Sequence, residues 1–183
     1  MSRLNCSITP RRPVGTNRRN TKLVTKRSGI LLDICLGGTP QPNSVVMSPT
    51  GDVKHDPRKL PFPLPDKCCH TVVVTHILEY LEPDQFFRWW DELHRIMRPG
   101  GAVYVSGPYG GDESQGWVSD PTHRTRVTEQ SFAWLDPRLP FWPMHKELGR
   151  RTPKPWHTVA VARVPGAHGT ISYNVTMQSQ VSK

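Results

Sequence analysis

The stretch from Gly29 to Pro42, GILLDICLGGTPQP, decides the fold. Residues 30–34 are aliphatic around the single acid Asp33 and do not alternate with polar residues, a pattern typical of a strand buried on both faces of a parallel sheet. Glycines follow its carboxyl end, where α/β sheets hold nucleotide-like ligands. The stretch therefore predicts a buried first strand and a candidate binding turn. A glycine turn that merely ends the strand is the alternative.

The segment just downstream predicts a shortened crossover. A second apolar run, Ser44 to Met47, follows after about ten residues, which leaves too little chain for the helix that usually follows the first strand. Phosphate binding at a helix N-terminus is therefore not expected, and a pyrophosphate cofactor such as NAD loses support.

Further elements follow in α/β order. One helix is predicted from Glu82 to Arg98, with Phe86 and Trp90 on its buried face and Trp89 as a flanking or partly exposed contact. Residues 131–135 predict a short helical turn. The predicted strands are Val53–Asp56, the central buried Thr71–Thr75, Ala102–Ser106, and a terminal hairpin of Thr158–Val164 and Thr170–Met177.

Charge is concentrated at the two ends of the chain. The net charge is +9, but residues 1–29 hold eight basic residues and no acid, residues 30–144 have a net charge of −4, and residues 145–183 have +5. We expect residues 1–28 to form a flexible basic arm, 29–178 one domain and 179–183 a tail. Basic ends of this kind bind nucleic acid or a large assembly through phosphates, unless they only solubilise the chain.

Cysteine spacing and hydropathy bear on the compartment. The four cysteines show no CxxC spacing, and the adjacent Cys68 and Cys69 are poor disulfide partners, so neither a zinc site nor a disulfide framework is expected. No apolar run reaches the ~20 residues of a membrane helix, so no membrane partner is expected. A cytoplasmic location is predicted. The arginine-rich start leaves organelle import open, although Pro10 and Pro13 disfavour the amphipathic helix that import signals form.

Five motifs in fixed order then carry a resemblance. The motifs are LDICLGGTP (32–40), LPFPLPD (60–66), THILEYL (75–81), MRPGG (97–101), and SGPYGG (106–111) with DPTH (120–123). In these motifs the chain resembles the class I S-adenosylmethionine-dependent methyltransferases, and within them the small type-11-like bacterial and phage group. The resemblance covers residues 30–137. It implies a Rossmann-like, mostly parallel sheet with a reduced helix after the first strand and a C-terminal antiparallel hairpin.

The resemblance implies S-adenosylmethionine as cofactor and assigns positions to it. The positions implied for the cofactor lie after the first, second, third and fourth strands: Asp33, Cys35, Leu36, Gly37, Ser48, Asp56, Thr75 and His76. Tyr109, Asp120 and His123 fall in the substrate-side loops. If the chain comes from a phage, the virion or the host cytoplasm replaces the cytoplasm as the expected location.

The DPTH segment and the pair of His76 and Glu79 each allow a catalytic and a structural interpretation. His123 is the candidate general base, with Asp120 orienting it and Tyr109 nearby, for in-line methyl transfer to an unknown hydroxyl, amine or carboxyl acceptor. The other interpretation of DPTH is an Asp-Pro turn with a surface histidine. His76 is expected to line the site, whereas Glu79 is expected only to pair locally with it.

Departures from the pattern define the alternative function. Cys35 stands where the family has glycine, and Ser48 and His70 stand where it has acids. Cβ of Cys35 intrudes on the cofactor's approach, and a serine hydroxyl gives only a neutral hydrogen bond to a ribose. The alternative is therefore a catalytically inactive methyltransferase-like subunit that binds nucleic acid or a large assembly through its basic ends.

Overall fold

A computed structural model describes residues 29–36, 39–111, 115–165 and 171–180. The predicted basic arm, residues 1–28, lies outside the described residues, and so does Gly37. No helix in the described part of the chain has the length and apolar character needed to cross a membrane.

The fold is built on one seven-stranded mixed sheet. The strand order is β3-β2-β1-β4-β5-β7-β6, with the first five strands parallel and the last two antiparallel. The strands are β1 (Ile30–Cys35), β2 (Val45–Ser48), β3 (Val53–Lys54), β4 (Cys69–Thr75), β5 (Met97–Pro108), β6 (Trp156–Pro165) and β7 (Ile171–Ser179).

Continuous apolar runs form the centre of this sheet, as predicted. Leu32 and Ile34 of β1 are fully buried, and β4 lies fourth in the order with Val72 and Val74 fully buried. Runs without polar alternation need cover on both faces, which only the inner strands of a parallel sheet provide. The fold class predicted from the sequence, a mostly parallel Rossmann-like sheet with a C-terminal hairpin, is confirmed.

The link from β1 to β2 is short and irregular. Its described residues, 36 and 39–44, contain no helix, and a turn forms where the Ser44 N–H donates to the Gln41 carbonyl oxygen over 3.2 Å. The reduced first crossover predicted from the sequence is therefore present in this part of the chain.

The helices are few and short except for one. The long helix, α1, spans Phe86–Ile96, and a 3₁₀ turn spans Leu78–Tyr80. Three single-turn helices follow: α2 (Gln115–Val118), α3 (Glu129–Ala133) and α4 (Met144–Glu147).

The predicted start of the long helix at Glu82 is wrong. Residues 82–85 form a turn in which the Gln85 N–H donates to the Glu82 carbonyl oxygen at 2.8 Å, and the helix begins only at Phe86. Its predicted end is close, since Met97 already belongs to β5. Proline and acids near a helix N-terminus also favour a tight turn, which is the structure they adopt here.

An aromatic cluster packs α1 against the C-terminal third of the chain. The Trp90 ring lies 5.2 Å from Trp156 of β6 and 5.9 Å from Phe132 of α3, both edge to face. Trp89 is also fully buried, and its indole N–H donates to the Pro57 carbonyl oxygen at 2.8 Å. Of the two alternatives predicted for Trp89, a flanking contact or partial exposure, partial exposure is wrong, because the turn after β3 covers this residue.

We expect Trp90→Ala to lower the free energy of unfolding by about 3 to 5 kcal/mol, the usual cost of removing a buried aromatic ring. Urea denaturation followed by fluorescence or circular dichroism measures this change. The control is Tyr104→Ala on β5, whose residue is 47% exposed and which should cost under about 1 kcal/mol. Equal costs for the two variants would contradict the assignment of Trp90 to the core.

Candidate functional site

The parallel register brings four strand ends to one edge of the sheet. Cys35 at the end of β1 pairs with Thr75 at the end of β4, and Thr75 pairs with Ser106 of β5. On the other side Ile34 pairs with Met47, the residue before Ser48. Residues following these ends meet along this edge, which we call the carboxyl edge.

Asp33 is buried at the carboxyl edge and holds the turn that follows β1. Its residue is 2% exposed, and Oδ2 accepts the Gln41 N–H at 2.7 Å. Cys35 is 5% exposed, and Leu36 is partly buried against the core. The turn is thus tied to the strand by a charge-assisted hydrogen bond, while its glycine at position 37 is outside the described residues.

Ser48 is the last residue of β2, and Asp56 comes shortly after β3. The Ser48 residue is 6% exposed, and its carbonyl oxygen accepts the His55 N–H at 3.0 Å, which joins the two strand ends. Asp56 binds the Arg58 guanidinium through both carboxylate oxygens, each at 3.0 Å. The side-chain hydrogen bond from Arg58 lowers the pKa of Asp56.

His76 follows β4 directly and is held in an unusual conformation. Its φ is +53°, and its N–H continues the ladder by donating to the Ser106 carbonyl oxygen at 3.0 Å. Nδ1 lies 3.0 Å from Oε1 of Glu79, and the imidazole is 58% exposed. The hydrogen bond to Glu79 raises the pKa of His76. The expected local pairing of these two residues is present.

Glu79 is fully buried, which the local pairing alone did not predict. Its carbonyl oxygen accepts the N–H groups of Arg124 and Thr125 at 2.7 and 3.1 Å. Oε2 faces Gly107 of β5, where a Cβ would lie 3.2 Å from Oε2 and 2.6 Å from the Tyr173 hydroxyl oxygen. Among the described residues, neither of these two buried oxygen atoms has a hydrogen-bond partner.

The DPTH segment, residues 120–123, contacts Tyr80, the residue that follows Glu79. The Tyr80 hydroxyl donates to Oδ2 of Asp120 at 3.0 Å, and hydrogen bonds from Thr122 and then Tyr80 lower the pKa of Asp120 to about 2. The His123 ring stacks edge to face on Tyr80, with 5.0 Å between ring centroids. Asp120 and His123 therefore lie on the same side of the sheet as the turn that follows β4, while the roles assigned to them stay predictions.

His123 is almost enclosed where it lies. Its side chain is 5% exposed, Nδ1 is 2.8 Å from the Trp117 carbonyl oxygen, and Nε2 is 3.7 Å from Oδ2 of Asp120. Because a carbonyl oxygen only accepts, Nδ1 carries the hydrogen. The catalytic role of His123 stays a prediction, and its surroundings favour a role in holding the loop.

Tyr109 follows β5 at the same edge and is also engaged by neighbours. Its residue is 6% exposed, the Arg163 guanidinium lies 4.5 Å from the centre of its ring, and its N–H donates to the Ile171 carbonyl oxygen at 2.8 Å. A cation over an aromatic ring is a stabilising contact that occupies that face. The substrate-side role predicted for Tyr109 stays a prediction.

The participants that the sequence did not reveal are Gly107 and Tyr173. They are paired across the antiparallel β5 and β7 strands, some 66 residues apart in the chain. Glu79 did carry a signal, since it is an acid between buried apolar neighbours, Leu78 and Leu81. Among the described residues, no group of three or more His, Cys, Asp or Glu side chains could hold a metal ion.

The strand order with its last two strands antiparallel defines a Rossmann-like α/β protein, and comparison with solved structures specifies the class. A methyltransferase from Archaeoglobus fulgidus, described as SAM dependent, aligns with a TM-score of 0.53 at 16% identity over 88% of this chain and 90% of its own. Burkholderia thailandensis 1,6-didemethyltoxoflavin-N1-methyltransferase aligns with 0.52 at 13% identity over 90% and 78%.

The neighbours are not uniform in activity. SpnF, described as a cyclase, aligns with a TM-score of 0.50 at 16% identity over 97% of this chain and 89% of its own. No family model matches the sequence, and no curated protein does. The chain has the class I S-adenosylmethionine-dependent methyltransferase fold, whereas membership of the small bacterial and phage group stays a prediction.

Gly107→Ala should lower the free energy of unfolding by about 1 to 3 kcal/mol, because the added methyl group overlaps the buried Tyr173 hydroxyl. In a Tyr173→Phe background the same change should cost less, since the closest atom is gone. Urea denaturation of the four proteins in this double-mutant cycle measures the coupling. Additive costs would mean that Gly107 and the hydroxyl do not meet.

Proposed function

We propose that the chain is an S-adenosylmethionine-dependent methyltransferase that transfers the methyl group in line to a hydroxyl, amine or carboxyl acceptor. The observation that carries this proposal is the pair of buried carboxylates, Asp33 near the end of β1 and Glu79 in the turn after β4, in a class I sheet. The cofactor is cationic at its sulfonium and its ammonium groups. Buried acids at the carboxyl edge suit such a ligand, because opposite charges attract strongly where water is excluded.

The other residues at the edge agree with the charge of that ligand. Arg58 donates through Nε and Nη2 to the two carboxylate oxygens of Asp56, so its positive charge is paired and does not oppose a cationic group. Thr75 and Cys35 are adjacent in register, which places their backbone groups side by side at the centre of the edge. The residues present therefore fit the cofactor in charge and in position.

Each residue has a proposed part in holding the cofactor. Asp33 and the turn at Cys35, Leu36 and Gly37 would bind the amino-acid portion, and Ser48 the ribose. Asp56 would face the adenine edge, with Thr75 and His76 beside the sulfonium. When bound, the cofactor supplies the methyl group, and the chain's residues hold and orient the two reactants.

Two of these positions weaken the predicted binding without removing it. Ser48 offers one neutral hydroxyl where a carboxylate would accept two ribose hydroxyls, and charge-assisted hydrogen bonds are about twice as strong as neutral ones. Cys35 adds a Cβ where a glycine would leave space for the ligand. We therefore expect the native chain to bind the cofactor more weakly than a Cys35→Gly, Ser48→Asp variant does.

Calorimetric titration with S-adenosylmethionine and S-adenosylhomocysteine tests the proposal. We expect both ligands to bind, and Asp33→Asn to weaken binding about ten- to a hundredfold through loss of a charge-assisted hydrogen bond. The matched control is Asp66→Asn before β4, whose side chain is 73% exposed and should not matter. Absence of binding by both the native chain and the Cys35→Gly, Ser48→Asp variant would overturn the proposal.

The second candidate is an inactive subunit that binds nucleic acid or a large assembly. The departures at Cys35 and Ser48 and the charge of the chain ends support it. Binding by the restored variant alone, with none by the native chain, would favour this candidate.

Residues 1–28 give the second candidate its own test. If they neutralise phosphates, affinity for a fluorescent RNA or DNA oligonucleotide should fall steeply between 50 and 200 mM salt, as expected when bound counterions are released, by on the order of 10³-fold for six phosphate contacts. Deleting 1–28 should remove most of that salt dependence. Fluorescence anisotropy measures both, and a slope that the deletion leaves unchanged would contradict the predicted partner.

A further inference from the structure

We propose that His76 and Glu79 form the proton-accepting pair of this site: His76 takes the acceptor's proton through Nε2, and Glu79 holds the imidazole in place. This inference rests on the proposed methyltransferase function and narrows its substrate class. A carboxylate acceptor needs no base, so the pair implies a hydroxyl or amine acceptor, whose proton has to leave.

The hydrogen bond between the two side chains fixes which nitrogen is available. Nδ1 of His76 lies 3.0 Å from Oε1 of Glu79. An ionised carboxylate only accepts hydrogen bonds, so Nδ1 carries the hydrogen and Nε2 of the neutral ring keeps its lone pair. The imidazole is 58% exposed, and its hydrogen bond to Glu79 uses Nδ1 and not Nε2. A base needs this combination of a fixed tautomer and a free lone pair.

The backbone of His76 is held at the carboxyl edge. His76 has a φ of +53°, a left-handed conformation that a non-glycine residue adopts rarely and at some cost. The Ser106 carbonyl oxygen holds its N–H at 3.0 Å. The residue is thus fixed directly after β4, the central strand, where the sulfonium of the cofactor is proposed to lie.

Glu79 cannot turn away from His76. The residue is fully buried, and Arg124 and Thr125 bind its carbonyl oxygen. Its second carboxylate oxygen faces Gly107 and the buried Tyr173 hydroxyl. Burial, and then the charge of Glu79, raise the pKa of Tyr173, so this hydroxyl stays neutral.

The charged residues around His76 and Glu79 have polar partners of their own. Asp120 accepts hydrogen bonds from Tyr80 and Thr122, and the Arg124 guanidinium lies 3.8 Å from a Glu82 carboxylate oxygen. β5 contributes only Ser106 and Gly107 here, which carry no charge. The titratable or charged groups packed around the pair from its own segment, from the loop and from β7 are Tyr80, Asp120, His123, Arg124 and Tyr173.

In the proposed step, a lone pair of the acceptor oxygen or nitrogen forms the bond to the methyl carbon as the carbon–sulfur bond breaks. The electron pair of the carbon–sulfur bond stays on sulfur, which gives S-adenosylhomocysteine. The acceptor's proton moves to Nε2 of His76, and the Glu79 carboxylate stabilises the imidazolium. The exposed ring then returns the proton to water.

Nitrogen-15 NMR of the histidine-labelled full chain tests the pair without knowledge of the acceptor. We expect neutral His76 to carry its hydrogen on Nδ1 and to titrate above pH 6.5, the ordinary histidine value. Glu79→Gln should return the pKa of His76 to near that value. Assignment comes from His76→Asn. The control is His157→Asn on β6, opposite Gln178 at the other end of the sheet, which should leave the His76 signals unchanged.

Ligand titration then tests where Nε2 points. Sinefungin resembles the cofactor but bears an amine at the position of the transferred methyl group. Its ammonium should lower the pKa of His76 by on the order of one unit, whereas S-adenosylhomocysteine should change it less. His76→Asn replaces a largely exposed side chain and should fold, and it should reduce sinefungin affinity about tenfold while leaving that of S-adenosylhomocysteine unchanged.

Three outcomes overturn this inference. In the first, both ligands bind, but sinefungin does not change the His76 signals and His76→Asn does not reduce sinefungin affinity; the pair is then not the base, and the proposed function stands. In the second, neither ligand binds even to the Cys35→Gly, Ser48→Asp variant, and both this inference and the proposed function fail. In the third, neutral His76 carries its hydrogen on Nε2, which excludes the pair.

If Glu79→Gln does not fold, the ligand titrations of the native chain and of His76→Asn decide between these outcomes.

Discussion

A carboxylate with no exposure to water, that of Glu79, is the constraint on which the candidate site depends. An isolated buried charge is so costly that the surrounding structure has to compensate for it. Here the His76 imidazole compensates the charge of Glu79. The backbone carbonyl oxygen of Glu79 accepts hydrogen bonds from two N–H groups of the loop after α2. Through its side chain and its backbone, Glu79 therefore contacts the end of β4, the residues that follow DPTH and the β5–β7 pair.

The sheet determines which residues can meet at that point. Parallel strands 1 to 5 end at one edge, so Cys35 at the end of β1 pairs with Thr75 at the end of β4 although the two are 40 residues apart in the chain. The antiparallel β7 enters the same edge from the opposite direction and brings Tyr173 beside Gly107. Only a residue without a side chain fits between that tyrosine and Glu79, and for this reason glycine stands at position 107.

The sequence predicted those parts of the fold in which one local rule dominates. β1 and β4 are runs of aliphatic residues and were predicted correctly, and the hairpin of β6 and β7 followed from alternation. The start of α1 was misplaced because proline and acids at 82–84 suit a tight turn as well as a helix. The burial of Trp89 was missed because its cover, the turn that includes Pro57, comes from 32 residues away.

The same distinction separates the parts of the site. Strand ends are local features, so Asp33, Thr75 and His76 could be assigned positions from the sequence. The contact of Glu79 with Gly107 and Tyr173 depends on antiparallel register and could not. His123 was the favoured base because its motif is visible, yet exposure is a tertiary property, and packing on Tyr80 encloses it.

Burial is therefore what distinguishes the two histidines, and it bears on whether the site is active. A degenerate subunit needs neither a fixed tautomer nor an open lone pair, and maintaining His76 at positive φ beside a buried acid costs stability. One structural neighbour with this fold is described as a cyclase, so the sheet alone does not settle the chemistry. The strained and costly arrangement at the end of β4 favours a working base, because packing by itself would be served as well by an apolar pair.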